Sequence, residues 1–232
     1  MKIALCLHGL VGTDDKYGLG DRKINYKIGF KHFKEHVFDV NEQVDVFYHT
    51  WSTEQHEELK EIYNPVLSKA EEQPIFSKYG NSDRKQAIYC RWKSAQEVIK
   101  LVELSGNEYD FILLTRFDIA FLVDFNFKEY DNKKFYAQGP PGPLSNGINM
   151  INDLWFFSNF ENMIKFTNLY NLLDKEEYRS HIDSNHELSR KHLDNIGMSD
   201  ILEYKFVREW TGASGKLNSD TPLVRWHYLK KV

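Results

Sequence analysis

The chain has little cysteine and no long apolar run, and each shortage excludes a class of protein. Its two cysteines, Cys6 and Cys90, are too few for a disulfide scaffold, and no Cys-X-X-Cys pair offers a structural zinc site. No apolar stretch approaches the ~20 residues of a membrane-spanning helix. The apolar start, Lys2 to Leu7, is too short for the core of a signal peptide. We therefore expect a cytoplasmic protein without a transmembrane segment, with peripheral attachment to a membrane left open.

A large excess of charge of either sign is also missing. The chain has 30 Lys and Arg against 34 Asp and Glu, a formal net charge of −4. Such a balance does not create the strong field that draws nucleic acid to a protein, so we expect no nucleic-acid partner. Aromatic residues, in contrast, make up 15% of the chain. They suit either a large aromatic core or stacking on sugars and bases.

Short apolar runs alternate with segments of helical periodicity through the first half of the chain, and the second half is mixed. The patterns predict strands over 2–7, 44–48, 111–115, 134–138, 154–157 and 205–208. They predict helices over 25–35, 53–62, 82–104 and 161–173, and from a capping box at 184–187 to Gly197. This order predicts a single α/β domain over 1–232, Rossmann-like, with an open, mostly parallel sheet flanked by helices.

One predicted strand ends in charged residues. The apolar run from Asp110 to Thr115 stops abruptly at Arg116-Phe117-Asp118. Because side chains alternate along a strand, Arg116 and Asp118 are expected to share a face. Ligands of open α/β sheets bind beyond the carboxyl ends of strands, where a cation and an anion suit a phosphate and a metal ion. The pattern indicates an enzyme that uses a nucleotide sugar; a strand-end turn in which the two side chains only pair is the alternative.

Two blocks in this order carry a resemblance to a known family. The first is Asp45-Val46-Phe47-Tyr48-His49-Thr50-Trp51, and the second runs from Tyr109 to Asp118. Over roughly residues 1–160 the chain resembles GT-A-type glycosyltransferases. It is similar in particular to small capsule- and surface-polysaccharide transferases of bacteria and viruses. The family's strand usually ends in two carboxylates, Asp-X-Asp, where this chain has Arg116 and Asp118.

The resemblance implies a GT-A-like domain with a nucleotide-binding half over 1–125 and a sugar and acceptor half over 126–232. It implies transfer of a sugar from a nucleotide-sugar donor to a hydroxyl of a glycan or glycoconjugate, in polysaccharide biosynthesis. The implied cofactor is a divalent cation, Mn²⁺ or Mg²⁺, bound by Asp118 and a late histidine. His227 is best placed in the order of the chain, with His181 and His186 as alternatives. Arg116 leaves strict metal dependence open, because its charge replaces part of the cation's.

The other expected site residues divide between the two halves. On the nucleotide side the resemblance implies contacts from the end of the first strand, at His8 and Gly9. Thr50 and Trp51 follow the second strand and are expected near the same edge. Arg84 and Arg91 are seven residues apart on one helical face, from which we expect either to reach a diphosphate. On the phosphate and sugar side we expect Arg116 to offset charge and Asp153 to deprotonate the acceptor hydroxyl of an inverting transferase. Asp183 and Glu187 are the next candidates for that base. Each residue has a structural alternative, such as a turn, a packed indole or a solvated helix face.

Two other functions remain open on the sequence. The first is a nucleotide- or carbohydrate-binding module without turnover. It agrees with the presence of Arg116 where the family usually has a carboxylate. An α/β-hydrolase is suggested by Leu7-His8-Gly9-Leu10-Val11-Gly12, which looks like an oxyanion loop. The hydrolase also needs a Gly-X-Ser-X-Gly elbow, which the chain lacks, and Ser214 is its last candidate nucleophile.

Overall fold

The computed structural model describes residues 1–11, 26–76, 83–139, 150–181, 184–205 and 223–225. The strands in this part of the chain are β1 (Lys2–Gly9), β2 (Gln43–Thr50), β3 (Leu67–Ala70), β4 (Phe111–Arg116), β5 (Ile119–Phe121), β6 (Phe135–Gln138), β7 (Asn152–Ser158), β8 (Leu202–Lys205) and β9 (Leu223–Arg225). The α-helices are α1 (Tyr26–Phe33), α2 (His56–Tyr63), α3 (Asp83–Leu104), α4 (Phe160–Thr167), α5 (Leu169–Leu172), α6 (Glu176–Arg179) and α7 (Asn185–Asn195).

Seven of these strands form one mixed sheet in the order β3-β2-β1-β4-β7-β6-β8. Neighbours from β3 through β4 are parallel, and β6 and β8 are parallel to each other. Only β7 runs against its neighbours β4 and β6. A separate two-stranded sheet pairs β5 with β9. The prediction of an α/β fold with a mostly parallel sheet flanked by helices is therefore confirmed.

The strand order reverses between β1 and β4. The chain places β2 and β3 on one side of β1, then returns to lay β4 on the other side. In open α/β sheets such a reversal leaves a crevice beyond the carboxyl ends of the two strands, where ligands bind. Because β7 is antiparallel, its amino end lies at this same edge.

Helix α3 covers one face of the sheet. Its buried positions include Ile88, Trp92, Ala95, Ile99 and Val102, which recur at helical spacing and pack on Ala4 and Cys6 of β1 and on Ile112 and Leu114 of β4. Helix α3 is followed by Gly106 with a positive φ of 66°, a backbone conformation that favours glycine. The opposite face packs a second, strongly aromatic cluster against α1 and α2.

Most predicted elements appear with boundaries shifted by one to three residues. The helix predicted over 161–173 is divided at Asn168 into α4 and α5, and the late strand begins at Leu202 rather than at Lys205. Ser184 caps α7 as the capping box predicts, because its Oγ accepts a hydrogen bond from the Glu187 N–H at 3.4 Å. Strands β3, β5 and β9 were not predicted. The predicted cap Ser82 and residues 206–208 of the late strand lie outside the described residues.

Across the described ranges, we find no helix with both the length and the apolar character to cross a bilayer.

Helix α1 approaches the turn after β4 closely at Gly29. A Cβ atom built on Gly29 would lie 2.7 Å from the backbone oxygen of Phe117 and 3.4 Å from that of Ile119. Phe117 separates Arg116 from Asp118, so this contact fixes the turn between the two charged residues. Only glycine allows the helix to lie so close.

We expect Gly29→Ala to destabilise the protein, although alanine is the better helix former by about 0.5–1 kcal/mol. The added methyl group meets backbone that cannot rotate away, and overpacking of this kind costs about 1–3 kcal/mol. Denaturant unfolding measures the change, with the exposed Lys31→Ala on the same helix as a control that should stay within about 0.5 kcal/mol. A more stable Gly29→Ala protein would contradict this close packing.

Candidate functional site

Three polar side chains lie side by side where β1, β2 and β4 end. His8 on β1 is in register with His49 on β2 and with Arg116 on β4. Residues in register on parallel strands point to the same face, which here is the face covered by α3. The site therefore lies at the reversal of strand order, with α3 as one wall.

Arg116 and Asp118 form a bidentate ion pair. The Arg116 guanidinium donates from Nε to Asp118 Oδ1 at 2.8 Å and from Nη2 to Oδ2 at 2.6 Å. Burial disfavours the charged guanidinium, but the nearby carboxylates of Asp118 and Asp153 outweigh burial and raise the pKa of Arg116. The expected alternation along the strand does not reach Asp118, because β4 ends at Arg116 and Asp118 lies in the turn that follows. The turn gives the pairing that was the structural alternative.

A second buried pair joins α3 to the start of β7. Arg91 Nη1 lies 3.2 Å from Asp153 Oδ2, and its Nη2 also donates to the backbone carbonyl of Asp153. The Asp153 side chain is 8% exposed. Arg91 and Asp153 were expected on the nucleotide and acceptor sides, and the structure brings them into direct contact.

His8 lies among these charges as a neutral imidazole. Burial lowers its pKa well below the ordinary value, and the positive charges of Arg91 and Arg116 lower it further, while Asp153 acts in the opposite direction. The residue is 3% exposed, and its Nδ1 has no hydrogen-bond partner among the described residues. Buried polar atoms normally have a partner, so Nδ1 marks a position where a ligand would complete the site.

Gly9 leaves open backbone next to His8. Its φ is 101°, in the region that favours glycine, and no atom of the described residues lies within 4 Å of a Cβ built there. Its N–H donates to Ser94 Oγ at 2.9 Å, and its carbonyl accepts from the Trp51 N–H at 3.3 Å. A ligand can therefore approach this backbone from the side where a Cβ would stand.

Sequence reasoning missed a buried hydrogen-bond network behind Gly9. His49 Nε2 lies 3.2 Å from Glu71 Oε1, and His49 Nδ1 lies 2.7 Å from Ser94 Oγ. A carboxylate only accepts, so Nε2 carries the proton and Nδ1 accepts from the Ser94 hydroxyl. The order Glu-His-Ser resembles a hydrolytic triad, but Ser94 is fully buried and its oxygen also accepts from the Gly9 N–H. The network supports the backbone of the site and does not present a nucleophile.

Thr50 and Trp51 contribute mainly to the wall of the site. Thr50 is fully buried, and its Oγ1 accepts from the Ser52 N–H at 3.0 Å. The Trp51 indole packs edge to face against His49, with ring centroids 4.5 Å apart, and Lys93 Nζ lies 5.4 Å from the indole ring. The Trp51 Nε1 is buried without a hydrogen-bond partner in the described part of the chain. Packing thus accounts for the ring, and stacking on a base stays a prediction.

Several other expected site residues lie apart from this cluster or outside the described residues. Arg84 is exposed in the first turn of α3, about two turns before Arg91. Glu187 faces His181, with 3.7 Å between Oε2 and Nδ1. His227, Asp183 and the hydrolase candidate Ser214 lie outside the described residues, so their expected roles stay predictions.

The carboxylates of the site do not by themselves fit a divalent cation. Within the described ranges, no group of three or more His, Cys, Asp or Glu side chains is arranged to hold a metal ion. Asp118 directs both carboxylate oxygens at Arg116, and Asp153 faces Arg91. Mg²⁺ and Mn²⁺ prefer carboxylate and water oxygens that no buried cation already neutralises. The Mn²⁺ or Mg²⁺ cofactor therefore stays a prediction.

In comparisons with known proteins, the chain matches no protein-family model and no curated protein.

We expect Ser94→Ala to destabilise the protein by about 1–3 kcal/mol, because the Gly9 N–H and the His49 imidazole would both lose a buried partner. Ser189→Ala is the matched control. Ser189 is also fully buried, but its Oγ has no hydrogen-bond partner among the described residues. Denaturant unfolding compares the two, and equal losses would contradict the bridging role of Ser94.

The network also predicts a loss of stability in acid. Burial lowers the pKa of His49 from 6.5 to about 4, although Glu71 opposes the shift. In the unfolded chain His49 therefore binds a proton below pH 6.5, whereas in the folded protein it binds one only below about pH 4. Stability falls as the pH falls through that window, by roughly 3 kcal/mol for this one group.

The free energy of unfolding at pH 7 and pH 4.5 tests this expectation in wild type and in His49→Gln. The variant should show the smaller pH dependence. His192, whose pKa burial also lowers to about 4, keeps part of the dependence in both proteins. An identical pH dependence in the two proteins would show that His49 is already protonated, or not buried, in the folded state.

Proposed function

We propose that the protein is a glycosyltransferase that moves a sugar from a nucleotide-sugar donor to a hydroxyl of a glycan or glycoconjugate. One observation carries the proposal. Two guanidinium groups, an unpartnered buried imidazole nitrogen and open glycine backbone converge where the strand order reverses. This is where an open α/β sheet offers a ligand its binding crevice.

The charges of the site suit a diphosphate. Arg116 and Arg91 lie close enough to His8 to lower its pKa, so both cations act on the same small space. Guanidinium groups bind phosphate oxygens in a bidentate way, and a neutral imidazole can donate or accept one further hydrogen bond. On departure of the nucleoside diphosphate, Arg116 and Arg91 would offset the developing negative charge.

The sugar end of the donor would lie toward β7. Asp153 stands at the amino end of β7, across the site from His8, and the two residues interact electrostatically. A carboxylate and a neighbouring histidine near the reacting carbon can orient hydroxyl groups of the sugar and the acceptor. The GT-A resemblance of the Tyr109–Asp118 block agrees with this arrangement, and the mixed seven-stranded sheet is compatible with it.

A binding module without turnover is the second candidate, and the two ion pairs favour it. Asp118 and Asp153 each face an arginine, so neither carboxylate is presented alone to a substrate. An assay of nucleoside diphosphate release distinguishes the glycosyltransferase from the binding module. It uses a panel of UDP-, GDP- and CMP-activated sugars, with and without Mn²⁺. For CMP sugars the released product is CMP. Binding without release across the whole panel would favour the module.

We expect Arg116→Ala to weaken binding of the preferred nucleotide by about 1–3 kcal/mol, because a charge-assisted contact to phosphate is lost. Calorimetric titration of UDP, GDP and CMP, each with and without Mn²⁺, measures the affinity. Arg179→Ala is the matched control, because Arg179 is exposed on α6 and bonds only the Asp174 carbonyl among the described residues. Unchanged affinity of Arg116→Ala would assign Arg116 to structure, and no binding of any nucleotide to wild type would overturn the proposed function.

A further inference from the structure

His186 is attached to the start of β7 by its backbone and its side chain. It lies in the first turn of α7, where its carbonyl accepts the Ile151 N–H at 3.3 Å. Its ring also contacts Ile151, since Nδ1 lies 3.1 Å from the Ile151 carbonyl oxygen. The same Nδ1 lies 3.5 Å from Asp153 Oδ1. The imidazole is therefore held in a defined orientation at the edge of the site.

These contacts fix which ring nitrogen carries the proton. A carbonyl oxygen and a carboxylate oxygen only accept hydrogen bonds, so Nδ1 must be the donor. In the neutral imidazole the lone pair then lies on Nε2. No described residue forms a hydrogen bond or ion pair with Nε2, and the side chain is 38% exposed. Nε2 of the partly exposed ring is thus left for a partner that the described residues do not supply, such as an acceptor hydroxyl.

Asp153, the base expected from sequence, is less suited to that task than His186. Its carboxylate is 8% exposed and lies 3.2 Å from the Arg91 guanidinium, and its charge also acts on Arg116. A carboxylate that is buried and paired with a guanidinium is poorly presented to an acceptor hydroxyl. Its Oδ1 instead lies 3.5 Å from Nδ1 of His186, where it helps to hold the orientation of the ring.

We propose that His186 is the general base of the transfer reaction and that Asp153 is its positioning residue; this inference rests on the proposed function. Nε2 takes the proton from the acceptor hydroxyl as the acceptor oxygen bonds to the anomeric carbon of the donor. The bond from that carbon to the diphosphate oxygen breaks, and its electron pair leaves with the nucleoside diphosphate. The proton stays on the imidazolium until the product departs and then passes to water.

The charged and titratable groups around His186 are consistent with this role. Asp153 and, behind it, Arg91 face the ring from β7 and α3. Glu187 follows on α7 itself and faces His181. Imidazole is the side chain that most often serves as a general base in enzymes.

The test measures His186→Gln against wild type with the nucleotide sugar that wild type turns over. Glutamine can still bond the Ile151 carbonyl but cannot serve as a base. We expect the rate of nucleotide release to fall about 100- to 10,000-fold, the usual contribution of a general base, with the affinity for the nucleotide unchanged. The acid limb of the pH–rate profile should disappear. Wild-type turnover by His186→Gln would overturn the inference and leave the proposed function standing.

A matched control and a rescue experiment separate catalysis from structure. His36→Gln removes a second histidine–aspartate pair, in which His36 Nδ1 lies 2.9 Å from Asp124 Oδ1, and it should keep wild-type activity. His186→Ala should recover nucleotide release when imidazole is added, because the free base occupies the vacated position. An inactive His186→Ala protein that binds nucleotide normally but gains nothing from imidazole would overturn the role as base. Absence of release by wild type from every donor overturns the proposed function itself.

Discussion

The pairing of buried charge at one edge of the sheet is the constraint on which the rest of the site depends. Arg116, Asp118, Arg91 and Asp153 are all largely withdrawn from water, and an unpaired charge in such a place costs several kcal/mol. Two ion pairs remove that cost. One pair closes the turn after β4, and the other joins α3 to β7.

The neutral groups of the site are placed by the same arrangement. Burial, together with the two guanidinium groups, lowers the pKa of His8, so its imidazole stays uncharged and keeps one nitrogen for a partner. Behind it, Ser94 joins α3 to the ends of β1 and β2 through bonds to Gly9 and His49. The helix is thus bonded directly to the backbone that a ligand would touch, which holds the first contact surface rigid.

The sequence predicted the parts of this structure that depend on local pattern. Apolar runs identify β1, β2 and β4, and the turn that follows β4 brings Arg116 and Asp118 together. Strand β3 reads Leu-Ser-Lys-Ala, and as a half-exposed edge strand it carries no apolar run by which it could be recognised. Strand β5 has three residues and pairs with β9, more than a hundred residues later.

The contacts of the site depend on separations that no local pattern encodes. Arg91 meets Asp153 across 62 residues, and His49 meets Ser94 across 45. Both arginines and Asp153 were expected in the site from the resemblance and the chain order. Only the three-dimensional arrangement shows how the arginines pair with aspartates, in which direction β7 runs and that His186 lies beside Asp153.

The reversed direction of β7 has a consequence for how this fold can diversify. Strand β6 ends, and β7 begins, at the edge that carries the charged residues. The connection between Gln138 and Asn152 therefore starts and ends beside the site. The two strands that it joins, β6 and β7, are paired with each other. Insertions and deletions in that connection would change the chain attached at this edge without changing the register of a single strand. Loops that join paired strands tolerate such changes at little cost to folding.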